Sequence, residues 1–221
     1  MGTSRLAIYN NALMLAGEAS LASLTEEGKR RRLLDRVWDS NGTRYCLEQG
    51  QWQFAMRTQR IDYDPDIEPD FGYTRGFQKP TDWVLTSALC SDEFFNAPLR
   101  AYADELDYWY ADLDLIYVKF VSDDADYGGD LANWPATFCD YVDAYFASKV
   151  IFDLTSDKAR VQFLLGAQGK VDGGELGRRL KIAKSRAAMT QPSRTPPPGS
   201  WNRARYGGPR GDRGNRNDLT G

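Results

Sequence analysis

The chain has 221 residues, with 28 Lys and Arg against 31 Asp and Glu for a formal charge of −3, a length that allows one large domain or two small ones. Hydrophobic residues at 42% and charged residues at 27% match a globular composition able to bury a core. There is no histidine, which excludes Ser-His-Asp and Cys-His relays, His-ligated metals and imidazole pH switches. No apolar run approaches the roughly 18 residues of a membrane helix. The opening MGTSRLAIYNNALMLAGEAS has one basic residue and a broken apolar stretch, unlike a secretory signal, and Leu6 stands where a myristoylation pattern wants Ser or Thr.

In chain order, Leu6, Tyr9, Leu13 and Ala16 recur at helical steps, so the spacing predicts an opening helix with Gly17 as its stop. Ser23 and Glu26 stand at capping-box spacing, with Thr25 as an alternative cap. They precede a long second helix whose apolar stripe is Leu34, Trp38 and Tyr45 with Leu33 and Val37. Arg30, Arg31, Arg32 and Arg36 take its solvated outer face. Between 54 and 121 the pattern changes: Pro65, Pro69, Gly72, Gly76 and Pro80 punctuate short strand-like runs at 82–86 and 115–121. This middle section is acidic, with eleven Asp or Glu between 92 and 130 against Arg100 and Lys119. Helix resumes after Pro135, where Phe138, Val142, Tyr145, Phe146, Val150 and Leu154 form a wide apolar face and Asp140 and Asp143 sit in the turns that favour acid. From 158 to 188 one interrupted helix or two are expected, with Gly169, Gly173 and Gly174 between the apolar groups.

The last 31 residues, from Gln191, are Pro, Gly, Arg and Asn with almost nothing to bury. Six arginines against Asp212 and Asp218 give this segment a charge of +4 and leave −7 on the preceding 190 residues. Such a composition does not offset its own ordering entropy, so a disordered basic arm is expected, able to reach on the order of 100 Å when extended.

Few constellations carry chemistry. Cys46, Cys90 and Cys139 have no C-x-x-C spacing and read as reduced, buried side chains. IDYDPDIE offers Asp62, Asp64, Asp66 and Glu68, yet a calcium loop would need Gly where Ile67 stands and Glu where Tyr73 stands. The loop with Asp124 and Asp126 fails in the same way at Pro135. Glu105, Asp107, Asp112 and Asp114 lie among Tyr108, Trp109 and Tyr110, a mixture that a glycan hydrolase or glycan-binding protein uses. The arm's interleaved Arg, Gly, Trp and Tyr also fit an RNA-binding segment. No P-loop, dinucleotide fingerprint or nucleophile elbow occurs.

Several short elements occur together in a telling order: Asn11-Ala12-Leu13 with Ala16-Gly17-Glu18 and Ser23-Leu24, then Trp52-Gln53-Phe54-Ala55, Pro80-Thr81-Asp82-Trp83, Ile116-Tyr117-Val118, and Trp134-Pro135 with Phe138, Ala147 and Lys149. In this order, over residues 8–155, the chain resembles the phage head-to-tail adaptor (connector) family, tail tubular protein A-like. It differs from that pattern at Phe77-Gln78-Lys79, a less apolar approach to the proline.

The resemblance implies a non-enzymatic virion protein at the head–tail interface, assembled in the host cytoplasm. It would form a dodecameric ring beneath the portal protein and serve as platform for a tail or nozzle protein. DNA would pass through without sequence-specific binding, and no membrane, cofactor, catalytic residue or metal is implied. The fold expected is α+β, mainly α: an antiparallel helical bundle over 1–55 and 134–190, a small inserted β domain over 56–133 and the extended arm over 191–221. Arg194, Pro196, Pro197, Trp201, Arg203, Arg205, Tyr206 and Arg210 would form the portal-binding arm. Glu105, Asp107, Asp112, Asp114, Asp123, Asp124 and Asp126 would form an acidic surface facing the lumen or the tail, because acid repels passing phosphate where a basic wall would hold it.

Overall fold

Ser4 opens the first helix by accepting the Ala7 N–H on its hydroxyl, and α1 (Arg5–Ala16) follows. Gly17, at φ 81°, ends it in the left-handed region, and the Gly17 and Glu18 N–H groups close on the Met14 and Leu13 carbonyls. Ile8, Tyr9, Ala12, Leu13 and Ala16 are its buried stripe. The structure, a computed structural model, describes residues 3–70, 72–155, 157–166 and 174–190.

The long second helix expected from the sequence is two helices, α2 (Lys29–Asp39) and α3 (Gly42–Glu48). Asn41, at φ 62°, turns the chain between them, a conformation that Asn tolerates better than most residues. Gly42 is required there, since a Cβ would come within 2.6 Å of the Val37 carbonyl and 3.3 Å of the Phe146 ring. The Ser23/Glu26 pair does not cap α2, which starts at Lys29. Glu26 instead accepts the Ala22 N–H within the preceding turn. Of the arginines on α2, Arg32 and Arg36 are exposed as expected, with Arg36 reaching Asp153, whereas Arg30 and Arg31 are half-buried, Arg30 donating to the Ala19 carbonyl and Arg31 to the Glu26 carbonyl and to Asp35.

A short 3-10 turn, Gln53–Ala55, leads into β1 (Met56–Asp62). It is followed by β2 (Arg75–Gln78), β3 (Trp83–Cys90), β4 (Ala103–Asp104), β5 (Tyr108–Ala111) and β6 (Leu115–Ser122). The strands form two antiparallel three-stranded sheets of order β1-β6-β3 and β2-β5-β4. Ile116, Val118 and Phe120 alternate along β6 and join Leu89, Phe77, Trp109 and Ala111 in a core shared by the two sheets. Val84 and Val121 of the first sheet belong to the other core, with the helices.

The first sheet is therefore one wall of the helical layer, and the expectation of a mainly α bundle with a small β insertion is corrected. Among the described residues 44% are helical and 20% are in strands, with six helices and two full sheets. The reason lies in β1 and β2. MRTQRID and RGFQ have too few apolar residues to announce themselves, and they become strands because β6 and β5 supply the partner backbone.

The last helices are α4 (Ala136–Leu154), α5 (Lys158–Leu165) and α6 (Glu175–Met189), so the 158–188 stretch is two helices among the described residues. Asp157 caps α5 by accepting the Ala159 and Arg160 N–H groups. α4 is the central helix, packed by α1, α2, α3, α5 and α6, and it is buried nearly all round, as a helix with apolar residues on every face must be. Ala144, Ala147 and Ser148 keep it slim enough for neighbours to approach. Asp143 corrects a second expectation: α4 starts at Ala136 with no acid in its first turn, and Asp143 lies further along the helix, buried against α1 and 2% exposed. Residues Met1–Thr190 form one compact unit, and none of the described helices is long and apolar enough to cross a membrane.

Candidate functional site

The sequence singled out two surfaces, an acidic one and the basic arm. Arg194, Pro196, Pro197, Trp201, Arg203, Arg205, Tyr206 and Arg210 lie outside the described residues.

The seven acidic residues divide into three places. Glu105 and Asp107 flank the β4–β5 turn, Asp112 and Asp114 the β5–β6 turn, and Asp123, Asp124 and Asp126 follow β6. The first two pairs sit at opposite ends of β5, four residues long, or about 13 Å at the usual strand rise. That exceeds the separation of about 5–9.5 Å at which two carboxyls cleave a glycosidic bond. Asp112 accepts the Thr74 N–H and hydroxyl, and Asp114 pairs with Arg75 at 3.2 Å. Trp109, the centre of the supposed aromatic platform, is fully buried and donates its indole N–H to Thr86. The geometry separates this cluster instead of closing it into one site. Glu105 instead borders a groove of about 330 Å³ with Glu68, Asp70, Tyr73 and Tyr110. Burial, with Glu105 and Asp70 nearby, raises the Tyr110 phenol above its usual value.

Lys79, the polar departure in front of Pro80, holds this end of the molecule. Its side chain is 4% exposed. The ammonium lies 3.7 Å from the Trp83 ring centroid and 5.4 Å from that of Trp109, and it donates to Asp104 and to the Glu105 carbonyl. A buried ammonium facing two indole rings, with its hydrogen bonds satisfied by Asp104 and the Glu105 carbonyl, takes the place of the apolar residue expected at this position.

The third acidic group lies where the first sheet meets the helices. Asp123 accepts from Arg44, which also donates to the Trp83 carbonyl. Arg57 of β1 pairs with Asp82 at 2.7 Å, and the Ser122 hydroxyl donates to the same carboxylate. Burial pushes the Asp82 carboxyl up, but the Ser122 and Arg57 hydrogen bonds outweigh it and hold the group below its ordinary value. Asp124 accepts the Asp126 N–H and shapes the loop, leaving the Asp126 side chain exposed. Next to this joint, Trp52 and Phe54 from the 3-10 turn meet Phe138 of α4 at 4.7 and 4.9 Å, and Trp134 meets it at 4.9 Å. The indole N–H groups are used as well, Trp52 on the Leu47 carbonyl and Trp134 on the Gly128 carbonyl.

Arg44 and Arg57 look like ordinary surface charges in the sequence until their partners arrive from distant segments, and Lys79 was legible there only as a polar departure in front of Pro80. Asp143 carried a signal, a lone acid inside the apolar run YVDAYF. Among the described residues no group of three acidic or thiol side chains is placed to hold a metal ion. All three cysteines are buried, and burial raises the thiols of Cys46 and Cys139. Neither a family model nor a curated protein matches the chain.

Proposed function

We propose that this chain is a structural virion protein, a head-to-tail adaptor that forms a ring beneath the portal and offers a platform to the tail. The observation that carries the reading is the meeting of separate motif residues. Trp52 and Phe54 of the W-x-F-A element, and Trp134 and Phe138 of the later one, lie 80 residues apart in sequence yet form one aromatic cluster at the joint of helices and sheet. Motif residues from distant parts of the chain thus come together in one cluster, between the turn that leads into β1 and the central helix α4.

Charge supports the same reading. Glu105, Asp107 and Asp126 are exposed, and the body carries −7 against +4 on the arm. Acid on the β end suits a lumen or tail-facing surface past which phosphate must slide. The arm suits attachment to the portal, with Trp201 and Tyr206 as aromatic anchors.

The test is native mass of the purified chain, alone and after mixing with the portal ring of the same virus. A monomer alone and a ring-on-ring complex with the portal, a dodecamer on its underside, is the expected result. A chain ending at Thr190 should keep its helical signal and lose most of the portal binding. Equal docking by that shortened chain would remove the attachment role of the arm, and no docking by the full chain to an intact portal would overturn the adaptor reading.

A further inference from the structure

Asp143 stands in the middle of the helical layer, and its surroundings fit a neutral carboxyl far better than a charged one. It is 2% exposed. One oxygen, Oδ2, accepts the Asn11 amide N–H of α1 at 2.8 Å. The other, Oδ1, has no hydrogen-bond partner among the described residues. A buried carboxylate normally collects two or three donors or a direct cation, and this one has a single neutral amide.

The charges around it do not replace that missing partner. On α4 itself, Asp140 opposes a second negative charge, and the Cys139 thiol beside it is kept protonated by burial. From α6, Arg179 is the cation whose field acts on the site, but its guanidinium is directed to Glu175 at 2.8 Å and to the Asp140 carbonyl at 3.1 Å. From α1 the neutral Asn11 donates to it. The helices that pack elsewhere along α4 engage their charges in other pairs: Arg31 with Asp35 on α2, Arg44 of α3 with Asp123, and Arg160 with Asp157 at the start of α5.

We propose that Asp143 is a proton-operated latch on the contact between α1 and α4, closed while the carboxyl carries its proton and loosened when that proton is lost to solvent. Neutral, the side chain is a compact hydrogen-bonding partner for Asn11 inside the packed layer. Charged, it can regain hydration only if α1 and α4 part locally, so ionisation favours the opened state. Burial, the largest influence, with Asp140 adding to it and Asn11 and Arg179 opposing it, raises the carboxyl from 3.8 to about 7. The latch therefore works close to neutral pH. It concerns the helical layer of the isolated chain and does not depend on the adaptor reading.

Hydrogen exchange of α1 and α4 backbone amides in the full chain tests it, at pH 5 and pH 8.5 with intrinsic exchange chemistry divided out. For an opened state in which Asp143 titrates normally, linkage expects local opening to rise by up to roughly a hundredfold between the two. The isosteric Asp143→Asn chain should show no such rise. A parallel carbon-13 titration of the wild-type Asp143 carboxyl should give a midpoint near 7. This second readout, like wild-type exchange, decides the matter even if the variant does not fold. A carboxyl midpoint near 4, pH-independent opening of the wild type, or an undiminished rise in Asp143→Asn would each overturn the latch.

Discussion

The helical layer and the second sheet are held by different means. Around α4 the core runs from Ile8 and Tyr9 through Leu34, Trp52 and Phe138 to Ile151, broad enough that most side chains meet only other apolar ones. The second sheet is a strip of three short strands whose own buried residues are Phe77, Trp109 and Ala111, completed by the underside of β6 and β3. It makes up for that small core with polar fastening: the Lys79 ammonium between two indoles, Thr86 accepting both indole N–H groups, and Asp104 bonded by both Lys79 and Thr86. A small apolar core needs such fixed polar groups, whereas a large one tolerates a single buried acid as an exception.

The comparison can be broken first at its stronger side. Phe138→Ala removes the ring on which Trp52, Phe54 and Trp134 converge and should cost about 3–5 kcal/mol in denaturant unfolding, with the sheet lost together with the helices. Next in size is the pH response of Asp143. Its folded value of about 7 lies above the ordinary 3.8, so its contribution is whole below about pH 4 and is lost as pH rises through 7. A rise from 3.8 to about 7 corresponds to at most about 4 kcal/mol, and Asp143→Asn should recover most of it above neutral pH, read as a higher Tm at pH 8.5. Asp82 and Glu175 act in the opposite sense, since both are held below their usual values and lose their contributions only in acid. For Glu175 the Arg178 hydrogen bond is the largest cause, and the loss comes as pH falls toward about 2.

At the weaker side, Lys79→Met keeps a side chain of similar length but removes the ammonium that faces Trp83 and Trp109 and leaves the Glu105 carbonyl without its donor. We expect a loss of about 1–3 kcal/mol, seen as early Trp fluorescence change while the helical circular dichroism signal persists. Smallest is Arg75→Ala, which removes the pair with Asp114, 78% exposed. A solvent-screened pair of this kind contributes no more than about 1 kcal/mol, so a change in Tm beyond a few degrees would show that the second sheet depends on its rim more than its centre.

Much of the helical layer was legible in the sequence. The opening helix with its Gly17 stop, and the apolar run after Pro135, follow from period and capping residues that act within one or two turns. The extent of the sheets was not legible. β6 could be read from LIYVKFV, but β1 and β2 carry Arg, Thr and Gln and owe their conformation to partners some 30–65 residues away. The acidic surface was legible as composition and not as geometry. Nothing in Glu105 through Asp114 reveals that Trp109 points inward while two turns carry the carboxylates to opposite ends of β5.

By itself, then, the sequence determined the properties that are local or additive: a histidine-free chemistry, an acidic body with a basic arm, and helices where apolar spacing and caps coincide. Only the tertiary structure decided how polar residues are spent. Lys79 and Asp143 are single charges in unremarkable positions along the chain, yet one is fastened between two indoles and the other is enclosed with half its oxygens unpaired. The physical reason is that the energy of a buried charge depends on which groups stand around it in space, and those groups come from segments that the order of residues alone does not bring together.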